Sequence, residues 1–238
     1  CIRDRSMPGS IFVNSAGMRF TNEAAPYEDV VKDQLQSNQQ VPSIPCYMIF
    51  DADYRHKYPI GLLPPSRVQP DEKIPADYRD FNFLTRANSI GELARELNID
   101  AAALETTVAA FNRDALRGVD QAFGRGNSAS DRYYSDVNNE PNPSLAPIAT
   151  APFYAVAIYP GDLGTKGGLK CNEFAQVLDT AGCTIPGLYA TGNSSGAVMG
   201  DSYPGAGATI GSAMTFAYIA ALHAAGRLSS PTDPLRPE

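Results

Sequence analysis

The sequence predicts an α/β protein in two unequal parts, residues 1–163 and 164–238, and three observations carry that expectation. The first part mixes short strand signals with helical periodicity and closes on the nearly continuous apolar run Phe153 to Tyr159. The second strings together a strand ending in Leu188-Tyr189-Ala190, a glycine-rich turn from Gly200 to Gly211, and a helical stretch through Leu222. It holds about three strands and one helix, too few for an autonomous α/β sheet, so it wants a partner sheet.

In chain order, Ser10 to Val13 reads as a strand, followed by a turn at Ser15-Ala16-Gly17. Tyr47 to Phe50 is a second strand, bounded by Pro45 and Asp51. The prolines between Tyr54 and Arg79 imply irregular chain lying over a core. Ser89 with Glu92 forms a capping box for a helix through Leu97. Asp100 caps the next helix, where Leu104, Val108, Phe111 and Leu116 are expected close to one face. Phe123 to Pro147 reads as a long loop that holds Tyr133 and Tyr134. Gln176 to Asp179 is a strand ending, and Ile185-Pro186-Gly187 turns into a strand expected to be fully buried. The last helix is rich in alanine, at Ala208, Ala213, Ala217, Ala220, Ala221 and Ala224. Small residues let its backbone approach a sheet or a ligand, and a plain buried helix explains them equally well.

Composition removes several function classes. Of 238 residues, 43% are hydrophobic and 19% charged, with 19 basic and 26 acidic side chains. No Lys/Arg cluster interleaves with aromatics, so a nucleic-acid footprint is missing. Cys1, Cys46, Cys171 and Cys183 lack C-x-x-C spacing and only His56 and His223 could join them, which argues against a structural zinc site. Scattered cysteines fit a reducing, cytoplasmic setting. No apolar run reaches the ~20 residues of a transmembrane segment, and no signal peptide is evident.

The turn Tyr203-Pro204-Gly205-Ala206-Gly207 is where chemistry is expected. A phenol held by a proline, followed by sterically open glycine amides, makes a two-donor site: the Tyr203 O–H and the amide near Gly207. Two donors converging on one carbonyl oxygen stabilise an enolate, at roughly 3 kcal/mol of barrier per donor. Read alone, the same three residues Tyr203-Pro204-Gly205 are also simply a good turn.

Three strings widen that reading: Arg5 to Asn14 with Gly17 to Tyr27, Gly161 to Leu169, and Val198 to Gly211. Together they resemble the 3-ketosteroid Δ1-dehydrogenases of the fumarate reductase and succinate dehydrogenase flavoprotein superfamily. The resemblance implies an α+β substrate-binding cap followed by the C-terminal part of a Rossmann-like FAD-binding domain. It implies FAD as cofactor, a 3-ketosteroid as substrate and an external electron acceptor. By resemblance Tyr203 and Gly207 hold the steroid C3 carbonyl, Tyr27 removes a proton from C2, and a hydride leaves C1 for the flavin. Gly192, Asn193, Ala208, Thr209 and Ile210 match the segment beside the ribityl chain and pyrimidine edge, and Thr165, Lys166, Gly167 and Gly168 match one flanking the isoalloxazine ring. Lys166 could equally be a solvated loop charge. A free phenol titrates near ~10, so a tyrosine base needs ionisation or a helping neighbour. The family's further active-site tyrosine has no counterpart in this sequence, which leaves that help unexplained.

No G-x-G-x-x-G opens a helix anywhere in the chain, and Gly205 to Gly211 has the wrong spacing. The chain is therefore expected to be a C-terminal portion without the N-terminal FAD-binding half. Rival readings are a soluble fumarate reductase, a 3-ketosteroid Δ4-(5α)-dehydrogenase, and a truncated product with no catalysis. Dicarboxylate recognition calls for arginines and histidines directed into the site, and His56 and His223 sit in unlike segments.

Overall fold

The computed structural model describes residues 2–80, 83–162 and 164–228; Cys1, Leu163 at the expected boundary and the tail from Ser229 lie outside them. The chain divides into two compact units, Cys1–Pro160 and Gly161–Glu238. The elements of the first are α1 (Ile2–Ser6), β1 (Ser10–Val13), α2 (Tyr27–Asn38), β2 (Cys46–Phe50), α3 (Ala52–Lys57), α4 (Ala76–Asp80), β3 (Thr85–Ala87), α5 (Ile90–Glu96), α6 (Ala101–Arg117), α7 (Ala129–Tyr133) and β4 (Phe153–Ile158). The second holds β5 (Gln176–Leu178), β6 (Thr184–Tyr189) and α8 (Ala208–Ala224).

In the first unit four strands pair antiparallel in the order β1-β2-β4-β3. Ile11 stands opposite Ile49, and Ile49 opposite Ala155. Alternation along each strand sends side chains to opposite faces. Ile11, Val13, Ile49 and Ala155 meet Leu93, Leu104, Val108 and Phe111 of α5 and α6. Phe12, Met48, Phe50 and Val156 pack on the other face with Val30, Tyr54 and Ile60. The apolar run at 153–158 thus belongs to an antiparallel sheet covered on both sides.

Both expected caps form: the Ser89 side chain accepts from the Glu92 amide at 3.1 Å, and Asp100 from the Ala103 amide at 2.7 Å. On α6 one member of the expected face is wrong, because Leu116 is 70% exposed while Ala115 is buried. At about 100° per residue, position 115 returns to the direction of Leu104 and position 116 overshoots it. Three other expectations change. Between Tyr54 and Arg79 the chain is helical at the end of α3 and in α4. The long loop contains α7. Strand β6 is exposed on both faces instead of buried, since it pairs with β5 alone among the described strands.

A buried charge cluster ties the first unit together. Glu23, fully buried, takes Arg19 through both oxygens at 2.9 and 2.8 Å and Arg125 at 3.1 Å, and accepts the Phe12 amide at 3.0 Å. Asp120 closes the other side of Arg19 with two bonds of 2.9 Å. Arg125 also donates to the carbonyls of Ser10, Arg5 and Met7. Burial alone would raise the Glu23 carboxyl, but the Arg19 and Arg125 charges outweigh it and hold it below the usual range. A carboxylate with a depressed folded-state pKa contributes stability that is present above its unfolded value, about 4.3, and lost as pH falls through the folded value.

Glu23→Gln is expected to cost about 3–5 kcal/mol in urea unfolding at neutral pH, because it takes from buried Arg125 its carboxylate partner and leaves Arg19 with Asp120 alone. The native chain should lose stability as pH falls below about 4, and the variant should show a flatter acid slope. Equal acid slopes in tyrosine near-UV circular dichroism would remove Glu23 as the linked group.

Candidate functional site

In the second unit, sequence-distant glycine segments converge. The Leu169 amide donates to the Ser194 carbonyl at 3.0 Å, the Gly196 amide to Leu169 at 2.9 Å and the Ala197 amide to Lys166 at 3.0 Å. These bonds bring the Thr165, Gly167 and Gly168 loop against the Gly192–Ser194 turn that carries Asn193. Gly168 is required there, because a Cβ would overlap the Ser195 backbone. A Cβ on Gly192 would lie 3.3 Å from that of Ala213, so this turn also sits against α8.

Helix α8 begins at Ala208, with Gly207 as its N-cap at φ +89° and no side chain capping the first turn. The Ala208 amide turns back onto the Gly205 carbonyl at 3.2 Å, and no side chain caps the amides of the first turn that follow it, at Thr209 and Ile210. Ahead of them, Lys166 Nζ donates to the Ser202 carbonyl at 2.6 Å and fastens the turn at Tyr203. Tyr203 is half-buried, while Gly207, Thr209 and Ile210 are exposed. A helix start with no side-chain cap, preceded by a glycine turn, is suited to an oxyanion or an electron-rich ring edge.

Along the same helix Ile210, Met214 and Tyr218 are exposed in a stripe of four-residue spacing, and Ala220 is its one buried residue among those described. On α6, by contrast, Leu104, Val108 and Phe111 are buried, worth roughly 1.5–3 kcal/mol each. His223 is occupied in packing, with Nδ1 2.8 Å from the Tyr189 hydroxyl and its ring against Phe174.

Tyr27 lies in the first unit, at the start of α2, and is half-buried. Its hydroxyl oxygen accepts the Ile2 amide at 3.0 Å. The Arg5 guanidinium sits 5.3 Å from its ring centre and donates to the carbonyls of Glu23 and Ala25 at 2.5 and 2.6 Å. Burial pulls the Arg5 pKa down to about 10, with Tyr27 opposing the fall, so Arg5 remains charged at neutral pH. Arg5, Glu23 and Arg125 had no role in the sequence reading. Charged residues in motif strings look solvated until burial and partners are known; the pair of glycines flanking Arg125 was the one available signal of a tightly approached side chain.

An uncapped helix N-terminus behind a glycine turn, backed by a second glycine loop, is an arrangement that nucleotide- and flavin-binding proteins use. Residues 1–210 match the FAD binding domain family, and the chain belongs to it. It is 43% identical over 229 residues to the 3-oxosteroid 1-dehydrogenase of Mycobacterium tuberculosis, covering 94% of this chain and 40% of that protein. It is 37% identical to the 4-oxocyclohexanecarboxylate 2-dehydrogenase of Sinomonas cyclohexanicum, covering 97% of this chain and 39% of that one. Among solved structures, the 3-ketosteroid Δ1-dehydrogenase of Sterolibacterium denitrificans, in complex with 1,4-androstadiene-3,17-dione, superposes with a TM-score of 0.90 at 41% identity. That superposition covers 95% of this chain and 40% of that one, so the chain spans about two fifths of the relatives it matches.

The uncapped start of α8 has the donors that an electron-rich flavin edge would take, whereas the sequence has no strand-linked G-x-G-x-x-G for the pyrophosphate. The 238-residue chain alone is therefore expected to purify colourless and to bind FAD weakly. A yellow preparation with one flavin per chain, read by absorbance near the flavin band, would place the main cofactor contacts within these residues.

Proposed function

We propose that the protein catalyses flavin-dependent dehydrogenation of 3-ketosteroids at C1–C2. The observation that carries the reading is the turn Tyr203 to Gly207 feeding the uncapped start of α8. The similarity to 3-oxosteroid 1-dehydrogenases over 94% of the chain supports it. Thr165, Gly167, Gly168, Gly192, Asn193, Ala208, Thr209 and Ile210 are the residues that would hold the flavin. When bound, FAD supplies a hydride acceptor. An external acceptor then removes the electrons.

The Tyr203 O–H and the Gly207 amide donate to the C3 carbonyl oxygen, and their two hydrogen bonds strengthen as negative charge builds there. That polarisation acidifies the neighbouring C2–H. Tyr27, acting as its phenolate, takes the C2 proton onto its oxygen and becomes the phenol. Loss of that proton and of a hydride from C1 leaves the C1–C2 double bond. Glycine at 207 matters in this scheme because its φ of +89° is a conformation that L side chains rarely adopt.

The test uses a holoenzyme completed with the FAD-binding amino-terminal part of the M. tuberculosis relative. With androst-4-ene-3,17-dione and an artificial acceptor, the 1,4-diene should form. Turnover of fumarate or 4-oxocyclohexanecarboxylate, with none of any 3-ketosteroid, would overturn the assignment. Tyr203→Phe removes one donor, so kcat should fall about 100-fold with FAD retained. Tyr27→Phe should also abolish most turnover, and near-normal activity in either variant removes that residue from the mechanism.

A further inference from the structure

We propose that Arg5 is a positioning residue for Tyr27, orienting its ring and holding a positive charge against it, so that α1 and Tyr27 form one proton-abstracting unit. The inference rests on the reading of Tyr27 as the base. It supplies the neighbour that a tyrosine base needs.

Three observations converge. Helix α1 touches Tyr27 twice, with the Ile2 amide on its oxygen at 3.0 Å and the Arg5 guanidinium 5.3 Å from its ring centre. Both groups bring positive charge to the phenol, an amide hydrogen at its oxygen and a cation at its ring. Second, Arg5 grips the segment leading into Tyr27, since its Nη1 donates to the carbonyls of Glu23 and Ala25. Glu23 is itself fixed by Arg19 and Arg125, and Arg125 also takes the Arg5 carbonyl at 3.0 Å, so the backbone on both sides of the contact is pinned.

The third observation is a group that a purely structural role leaves unexplained. Arg5 is 6% exposed, and its Nη2 is buried with no hydrogen-bond partner among the described residues. Two carbonyls need only a neutral donor such as an amide side chain, and burying a full cation to serve them is costly. A cation beside the Tyr27 ring accounts for the charge as well as the donors. Besides the Tyr27 ring, the groups that act on Arg5 are Arg125, Glu23 and Asp131; Glu23 and Arg125 already bond each other.

The experiment compares Arg5→Gln, Arg5→Lys and Tyr27→Phe in the completed FAD-loaded holoenzyme, using a 3-ketosteroid with and without deuterium at C2. Arg5→Gln keeps a donor for the carbonyls and loses the charge. Its kcat should fall about tenfold or more with KM and bound FAD within about twofold, and the C2-deuterium effect on kcat should rise. Arg5→Lys should recover most of kcat and the native isotope effect. Native kcat in Arg5→Gln, a lowered kcat with an unchanged isotope effect, or no recovery in Arg5→Lys overturns the proposal. If Arg5→Gln does not fold, Arg5→Lys decides on the same readouts: a near-native kcat and isotope effect support the role, and a lowered kcat with a native isotope effect removes it. Native turnover in Tyr27→Phe defeats the base assignment itself. Loss of turnover there beside a normal Arg5→Gln defeats only the role of Arg5.

Discussion

The first unit depends on one carboxylate. Glu23 is fully buried, and its two oxygens collect Arg19, Arg125 and the Phe12 amide. Removing any member leaves an uncompensated charge in a dry interior, so the members hold one another in place. Through Arg125 the cluster reaches the carbonyls of Arg5, Met7 and Ser10, and through Arg19 it reaches Asp120. Arg19 also lies over the rings of Phe111 and Phe123, which joins the charges to the apolar core. The loop from Phe20 to Pro26 has no sheet or helix ladder of its own, and it is held by this cluster at Glu23 together with the bonds of Thr21 to Asp33 and Asn22 to Asp131. Tyr27 inherits its place from that loop.

Legibility in the sequence followed the range of the interactions. Ser89 and Asp100 were readable as caps because their partners lie three residues away. The strands at Ser10, Tyr47 and Phe153 were readable because alternation and apolar runs are local signals. Leu116 was misplaced by one residue because a helical face is narrower than a count of apolar letters suggests. The exposure of β6 was not readable at all, since a Leu-Tyr-Ala run looks the same whether its sheet is complete or not.

The candidate site divides in the same way. The glycine turn before α8 announced itself by composition, and the structure adds that the Lys166 loop is laced to the Gly192 turn by backbone bonds. Lys166, readable as a solvated charge, donates to the Ser202 carbonyl. Arg5 carried no local signal and Arg125 only its two flanking glycines, because their partners are carbonyls and a carboxylate up to 120 residues distant. Buried charge is a property of the fold, and pattern reading reaches it last.

Strand β6 has a further consequence, for how long the isolated chain survives in solution. The outer side of β5 is already bonded, by the Asn172 amide to the Gln176 carbonyl and the Leu178 amide to the Lys170 carbonyl, so the edge left open among the described strands is that of β6, and a free edge is a template for another strand. Pro186 deletes one donor from β6, a partial guard of the kind edge strands use. Association through such an edge is second order, so its rate rises with the square of the protein concentration. Dilution, or a short peptide laid along the edge as a decoy strand, would lengthen the lifetime of the free chain without altering a single residue of its core.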